Sequence, residues 1–405
     1  MYKLPYKLHH SNGKGSAITL VLLAVVILLV TGIGLLSIGL RSQILAVRTT
    51  SDIAARMAAD AGLVEAIYKM NEKLQIKPWD ESSLPSATNE SLPNSELTYS
   101  YKVGQDLNGD YVIVSVGSSG QSTKQVECKL GIESPFDFAM FGSRYLSLKA
   151  GTTIDGYNFE LPTEKLKIGV NSIEAGAIFA RLGVLIDGDV FVGPGGDPNI
   201  VVDAQNEVVI TGDYFVLAEA RPLPAVPLPT HLDSLPSLGT ITTSMTLSGN
   251  AKCDAISLTN NAVLTINGPV SLYVIGKTKI DTGAQIKIVD ATINPDAYLN
   301  LYLGNEFTIQ NGGMLNNNTK DTGKFKMYGL TNCTNFAFLT DSILYGAVYA
   351  PYANFSMLNK VEIYGALIVE CLSQQVSSNF HYDAALQRGK VNDEFVEFVI
   401  ERWRE

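Results

Sequence analysis

The chain has 405 residues, 46% hydrophobic and 17% charged, with a formal net charge of −10 and a mean hydropathy of +0.13. That length supplies more than one packed core, and its apolar excess is concentrated in one uncharged run, Ser16–Leu40. This distribution excludes a multi-span transporter and a plain cytoplasmic enzyme.

Charge is uneven as well. Residues 1–77 carry nine Lys/Arg against four Asp/Glu, and the remaining 328 residues carry 21 against 36. An acidic surface repels phosphate backbones, so nucleic acid is not an expected partner. Lys3, Lys7 and Lys14 precede the apolar run, which predicts a cytoplasmic N-terminus. The run is too long for a cleaved secretory signal and lacks a small-residue cleavage site after it. It predicts a single-pass membrane helix with the rest of the chain outside the inner membrane. No helix breaker falls between Arg41 and Leu74, and Pro78 closes the segment. Ile53, Met57, Ala61, Val64 and Tyr68 form one apolar row, and Leu63, Ile67, Met70 and Leu74 a second. One helix over 16–77 is expected, about 90 Å long at 1.5 Å per residue.

After a Ser/Pro-rich loop, alternation predicts three antiparallel strands within 95–132: Leu97–Val103, Tyr111–Gly117 and Thr123–Leu130. From Phe138 the text becomes short apolar runs punctuated by Gly, Asn and Asp, as in GVLIDGDVFVG and EFTIQNGGMLNNN. Such regular short strands predict a right-handed parallel β-helix (a solenoid) over 138–386, with a β-sandwich as the alternative. Ala220–Gly239 carries Pro222, Pro224, Pro227, Pro229 and Pro236, and reads as an extended excursion across one solenoid face. Phe395, Phe398, Val399 and Trp403 predict an amphipathic helix over 387–405. The expected class is therefore α+β and membrane-anchored: a long helix with a small sheet, then an all-β domain.

Lys14-Gly15, a mature start at Ser16 and the immediate apolar helix resemble the class III signal of type IV pilins and pseudopilins. MAADAGLVEAIYKMNEKL at 57–74 looks like the helix continuation of minor-pilin-like proteins. The resemblance implies processing at Lys14-Gly15-Ser16, and helix packing through Ser16, Leu20, Leu23, Ile27, Val30 and Gly34. Leu20 stands where most pilins carry Glu, which resembles tip-type or minor subunits. The implied partners are a prepilin peptidase, other pilin-like subunits and an inner-membrane assembly platform. A surface polysaccharide or protein ligand of the head is a further expected partner. Tyr345–Leu386 resembles the end of β-helical domains of unknown function found on pilin-like proteins. It carries Gly346-Ala347-Val348-Tyr349-Ala350-Pro351, Tyr364-Gly365-Ala366 and a closing Phe380-His381-Tyr382-Asp383.

Catalytic readings are weaker. His381 and Asp383 share a strand face without an identifiable nucleophile and read as capping groups of the last rung. Asp155, Asp187 and Asp189 are the carboxylates that a carbohydrate-active β-helix enzyme would need, but Asp-Gly pairs are ordinary turn chemistry. Cys128, Cys253, Cys333 and Cys371 form no CxxC pair; with four histidines in the chain, no metal site or cofactor is expected. Disulfides and buried thiols remain equal alternatives. The resulting expectation is a non-enzymatic pilin-like subunit. The alternatives are a membrane-tethered carbohydrate-active enzyme and an unprocessed static envelope anchor.

Overall fold

No proline interrupts the chain from Ser16 to Leu74, and its many Leu and Ala residues favour helix against the weaker propensity of the interspersed Val, Ile and Gly. In the computed structural model, which describes residues 16–76, 79–161, 163–375 and 377–404, this stretch is one helix, α1 (Ser16–Leu74). The chain divides into two units: residues up to Gly131 with Phe398–Glu405, and Ile132–Glu397.

In the first unit α1 changes character along its length. From Ile18 to Val47 every large apolar side chain is at least 52% exposed, and the segment is long and apolar enough to cross a membrane. Three threonine hydroxyls of α1 turn back on the helix: Thr31 donates to the Ile27 carbonyl at 2.9 Å, and Thr49 and Thr50 donate to the Leu45 and Ala46 carbonyls at 2.9 Å. Beyond it, Ala55, Ala58, Ala59, Leu63, Ala66, Met70 and Leu74 are at most 2% exposed. They recur every three or four residues and make one buried face.

That face rests on an antiparallel sheet of β1 (Ser86–Ser91), β2 (Thr98–Gln105), β3 (Tyr111–Ser119) and β4 (Ser122–Glu133), with Glu397–Arg404 beside β4. The approach is close. A Cβ on Gly117 would lie 2.1 Å from the Ala55 carbonyl oxygen, and one on Gly62 2.5 Å from Ser115 Oγ. Ser115 Oγ donates to the Ala59 carbonyl at 2.7 Å. Small residues therefore carry the packing. Of the two predicted rows, Leu63, Met70 and Leu74 are buried, whereas Ile53, Met57, Val64 and Tyr68 are 56% to 64% exposed.

The sheet has two strands beyond the three expected, and the predicted C-terminal helix is a strand. Phe398 decides the latter. It is 2% exposed, its ring lies 5.7 Å from Trp79 and 5.1 Å from Tyr111, and its backbone bonds both ends of the Asn71 amide at 2.7 and 3.1 Å. Val396 and Phe398 are buried on either side of exposed Glu397, a period of two that the apolar spacing read as helical.

In the second unit nearly all strands are parallel, and among the described residues their pairings form three ladders. Most short strands pair with the one three further along the chain, as Ala255–Leu258 with Thr278–Ile280, and Thr278–Ile280 with Phe307–Ile309. The two long strands Ile343–Met357 and Glu362–Gln374 bend through all three ladders. One corner repeats a left-handed residue, as at Asn311 (φ 52°), Asp341 (56°), Gly151 (71°) and Gly183 (73°), which accounts for the NG, TD, AG and LG punctuation. Inward positions are Ile, Leu, Val and Phe with almost no exposure.

Stacking order is not chain order. Glu362–Gln374 pairs on its far side with Met140–Leu148, and Asn379–Asp383 with Thr153–Tyr157. The chain thus enters mid-stack near Met140 and winds to one end at Tyr214–Val216. It then winds again from Thr240 back to the middle. Residues 220–239 connect the two runs. They are held along the way by Asn171 on the Arg221 backbone (2.8 Å both ways), by Tyr349 Oη on the Pro224 carbonyl (3.0 Å) and by buried Val226 and Leu232. The prolines suit this segment because it runs outside the ladders, where few N–H groups find sheet partners.

Candidate functional site

The junction between the two runs gathers the chemistry singled out in the sequence. Outward positions across one ladder are, in register, Tyr345, Tyr364, His381 and Asp155. The Tyr345 and Tyr364 rings stack at 4.3 Å and 5°, and Tyr364 stacks on the His381 imidazole at 4.5 Å and 21°. His381 Nδ1 lies 2.6 Å from Asp155 Oδ1, and Nε2 lies 3.0 Å from Glu362 Oε2. Asn379 Nδ2 donates to the other oxygen of Glu362 at 2.9 Å.

Two carboxylates on one half-buried imidazole favour the imidazolium. Its pKa is raised above the ordinary histidine value, first by the hydrogen bond to Glu362 and then by Asp155, against the opposing effect of burial. Glu362 is held below its usual range, chiefly by the same bond. Both ring nitrogens are committed to carboxylates. The arrangement pins three strands, one of them from the other run of the chain.

The neighbouring residues of the Phe380–Asp383 motif are buried. Phe380 and Tyr382 point inward with no exposure, and Tyr382 Oη donates to the Phe136 carbonyl at 2.8 Å. Asp383 accepts from Thr322 Oγ1 at 2.7 Å, from Asn158 Nδ2 at 3.0 Å and from Ala385 N at 3.1 Å. These residues do not close the stack as expected. Asn379–Asp383 has a strand on each side, so the motif sits inside the stack.

The remaining candidates are spread out. Asp187 accepts from Thr211 Oγ1 at 2.7 Å, and Asp189 Oδ1 accepts from Asp213 N at 2.9 Å, so each tethers a following turn. Lys14 and Gly15 lie outside the described residues, and Ser16 begins α1. Leu20, Leu23, Ile27 and Val30 are 54% to 64% exposed, and Gly34 has open space around it. All four cysteines are buried and free. Burial pushes the thiol of Cys128 up to about 11, and those of Cys253 and Cys333 up to about 12.

A small cavity of about 140 Å³ lies beside Asp383, lined among others by Phe136, Thr322, Lys326, Leu386, Arg388 and Asp393. Lys326 is 6% exposed and paired with Asp393. Burial lowers its pKa, with Asp393 opposing. The segment carrying Asp393 also places Glu394 on Tyr302 Oη at 2.8 Å and stacks Phe395 on Tyr349 at 4.4 Å. Sequence reading missed Glu362, Lys326 and Asp393, because each is joined to its partner by stacking rather than by nearness in the chain.

Residues 232–389 match a domain family of unknown function. The family model is described as "Domain of unknown function (DUF7305)" and covers less than half of the chain. Its span takes in the whole second winding run, from Thr240 to Asp383. No curated protein matches the sequence. Among solved structures, the DUF3494 domain of a Shewanella frigidimarina ice-binding protein is similar at 13% identity and a TM-score of 0.31, over 61% of this chain and 94% of that one. The competence-associated pilin ComZ of Thermus thermophilus is similar at 12% identity and a TM-score of 0.23, over 88% of this chain and 97% of that one. An ice-binding protein of an Antarctic Flavobacteriaceae bacterium gives 11% and 0.24, over 61% and 96%. Scores this low assign neither fold nor function.

Proposed function

We propose that the chain is a non-enzymatic, pilin-like subunit of a type IV pilus or a type II secretion-like assembly. In this reading α1 is the membrane-spanning and filament-packing element, and the three ladders form one β-helix displayed as a head for adhesion or partner binding. The observation that carries it is the two-part helix. Its first half exposes large apolar side chains and carries no charge before Arg41, and its second half lies on an antiparallel sheet through a face whose closest approaches are made by alanine and glycine. The exposed row Ile53, Met57, Val64 and Tyr68 continues the apolar surface past the membrane segment, where a neighbouring helix would cover it.

The site geometry supports a structural role for the junction. His381, Asp155 and Glu362 satisfy one another, and Asp187 and Asp189 bond the next turn. The test is to recover sheared surface filaments from cells producing the chain. The native chain is expected in that fraction. Ile53→Asp with Val64→Asp is expected to remove it from the filaments while leaving its expression unchanged. Absence of the native chain from filaments made by its own host assembly would sink the proposal.

A further inference from the structure

The two ends of the parallel stack are finished differently. At the Thr240 end, inward residues are covered: Ile241 is 4% exposed, Leu247 7% and Cys253 0%. The short helix Thr230–Asp233 seats Leu232 there with no exposure. The chain at 237–239 lies along Ala251–Cys253, with Leu238 N on the Lys252 carbonyl at 2.8 Å and Asp254 N on the Gly239 carbonyl at 2.9 Å. That end is capped.

The opposite end is open. Tyr214 and Val216 are in register with Val190 and Val192, which point into the core and have no exposure. Yet Tyr214 is 47% and Val216 45% exposed. Phe215 extends the outer aromatic row, stacked 5.0 Å from Phe191 and 42% exposed. The strands Val202–Ala204, Val209–Ile210 and Tyr214–Val216 each pair with the preceding coil, and among the described residues no strand pairs with their other edge. The Asp213 carbonyl and Leu217 N–H bond the preceding strand. In a parallel ladder, where bonding alternates, this leaves the amides of Tyr214 and Val216 facing outward. Stacked-strand domains need a polar terminal cap for solubility, and an uncapped edge is a template for another strand.

We infer that this open end is a docking edge for an extended, cationic partner segment. The segment would add one strand beside Tyr214–Val216 and cover the exposed core. Charge selects the occupant. Asp197, Asp203, Glu207, Asp213 and Glu219 are all exposed, and residues 197–220 contain neither Lys nor Arg. A second copy meeting this end about a two-fold axis would set those carboxylates against themselves. A strand alternating basic and apolar residues would pair the acidic rim and fill the apolar gap, the mode in which main-chain bonds hold and side chains select. The inference rests on the second unit alone and is independent of the pilin-like reading.

The test uses the full chain in detergent and two synthetic heptapeptides, one alternating Lys and Val and one alternating Glu and Val, followed by fluorescence anisotropy. The Lys-Val peptide is expected to bind saturably and the Glu-Val peptide not at all. Val216→Pro removes one outward N–H and is expected to weaken binding at least about tenfold, a loss on the scale of a hydrogen-bonded edge. Glu207→Lys with Asp213→Lys keeps the edge backbone and is expected to weaken it similarly, so the result does not depend on one variant folding. Failure of the Lys-Val peptide to bind would overturn the inference. So would unchanged binding in folded Val216→Pro, which would mark mere charge attraction, or end-to-end self-association seen by sedimentation and abolished by Val216→Pro.

Discussion

His381 links two carboxylates from strands far apart in the chain, and its protonation is therefore tied to the junction's integrity. Its pKa is raised in the folded chain, so its contribution is complete below the unfolded value of about 6.5 and is lost as pH rises through the folded one. Glu362 is shifted the opposite way; its contribution is present above about 4.5 and is lost as pH falls through its lowered folded value. The junction should be strongest in mildly acidic solution. His381→Gln is expected to lower the thermal midpoint clearly at pH 6 and little at pH 9, measured by circular dichroism on the full chain. An equal loss at both pH values would contradict the ion-pair account.

Among the elements, α1 was the most legible. Its start, its length and the strand text after it follow from hydropathy and the positions of proline and turn residues. Its packing face was less so, because the strongest apolar row lies outside and the contact with β3 is made by Ala55, Ala59, Gly62, Ser115 and Gly117. Apolar periodicity does not register small residues chosen for close approach. Gly117→Ala tests that contact. The new Cβ would meet helix backbone at 2.1 Å, which cannot rotate away, and the expected loss is about 2–4 kcal/mol, read from hydrogen exchange of the β2–β3 amides. The C-terminal strand was misread for a related reason: Phe398 takes its conformation from Trp79, Tyr111 and Asn71, none of them near it in sequence.

At the scale of the whole molecule, strand length, turn chemistry and the glycine steps of the second unit were readable, whereas the stacking order was not. Gly346 and Gly365 illustrate what was visible: a Cβ on Gly365 would lie 1.8 Å from the Gly346 carbonyl oxygen, so neighbouring coils touch there. Which coil neighbours which is set by pairings such as Ile368 with Phe141, and local pattern carries no trace of them. The order has a direct consequence. Residues 132–233 and 234–397, produced as two separate chains, should each remain largely unfolded alone and should form a folded complex when co-expressed, since each supplies the other's missing ladder edge. A folded, soluble second fragment on its own would argue against it.

The same molecule is proposed to enter an assembly through α1, and the most direct measurement of that claim is intact mass with N-terminal sequencing after expression with and without an active prepilin peptidase. The account predicts loss of Met1–Gly15 and a new N-terminus at Ser16, only when the peptidase is active. Retention of Met1–Gly15 in the presence of active peptidase would contradict it and leave α1 as a static anchor.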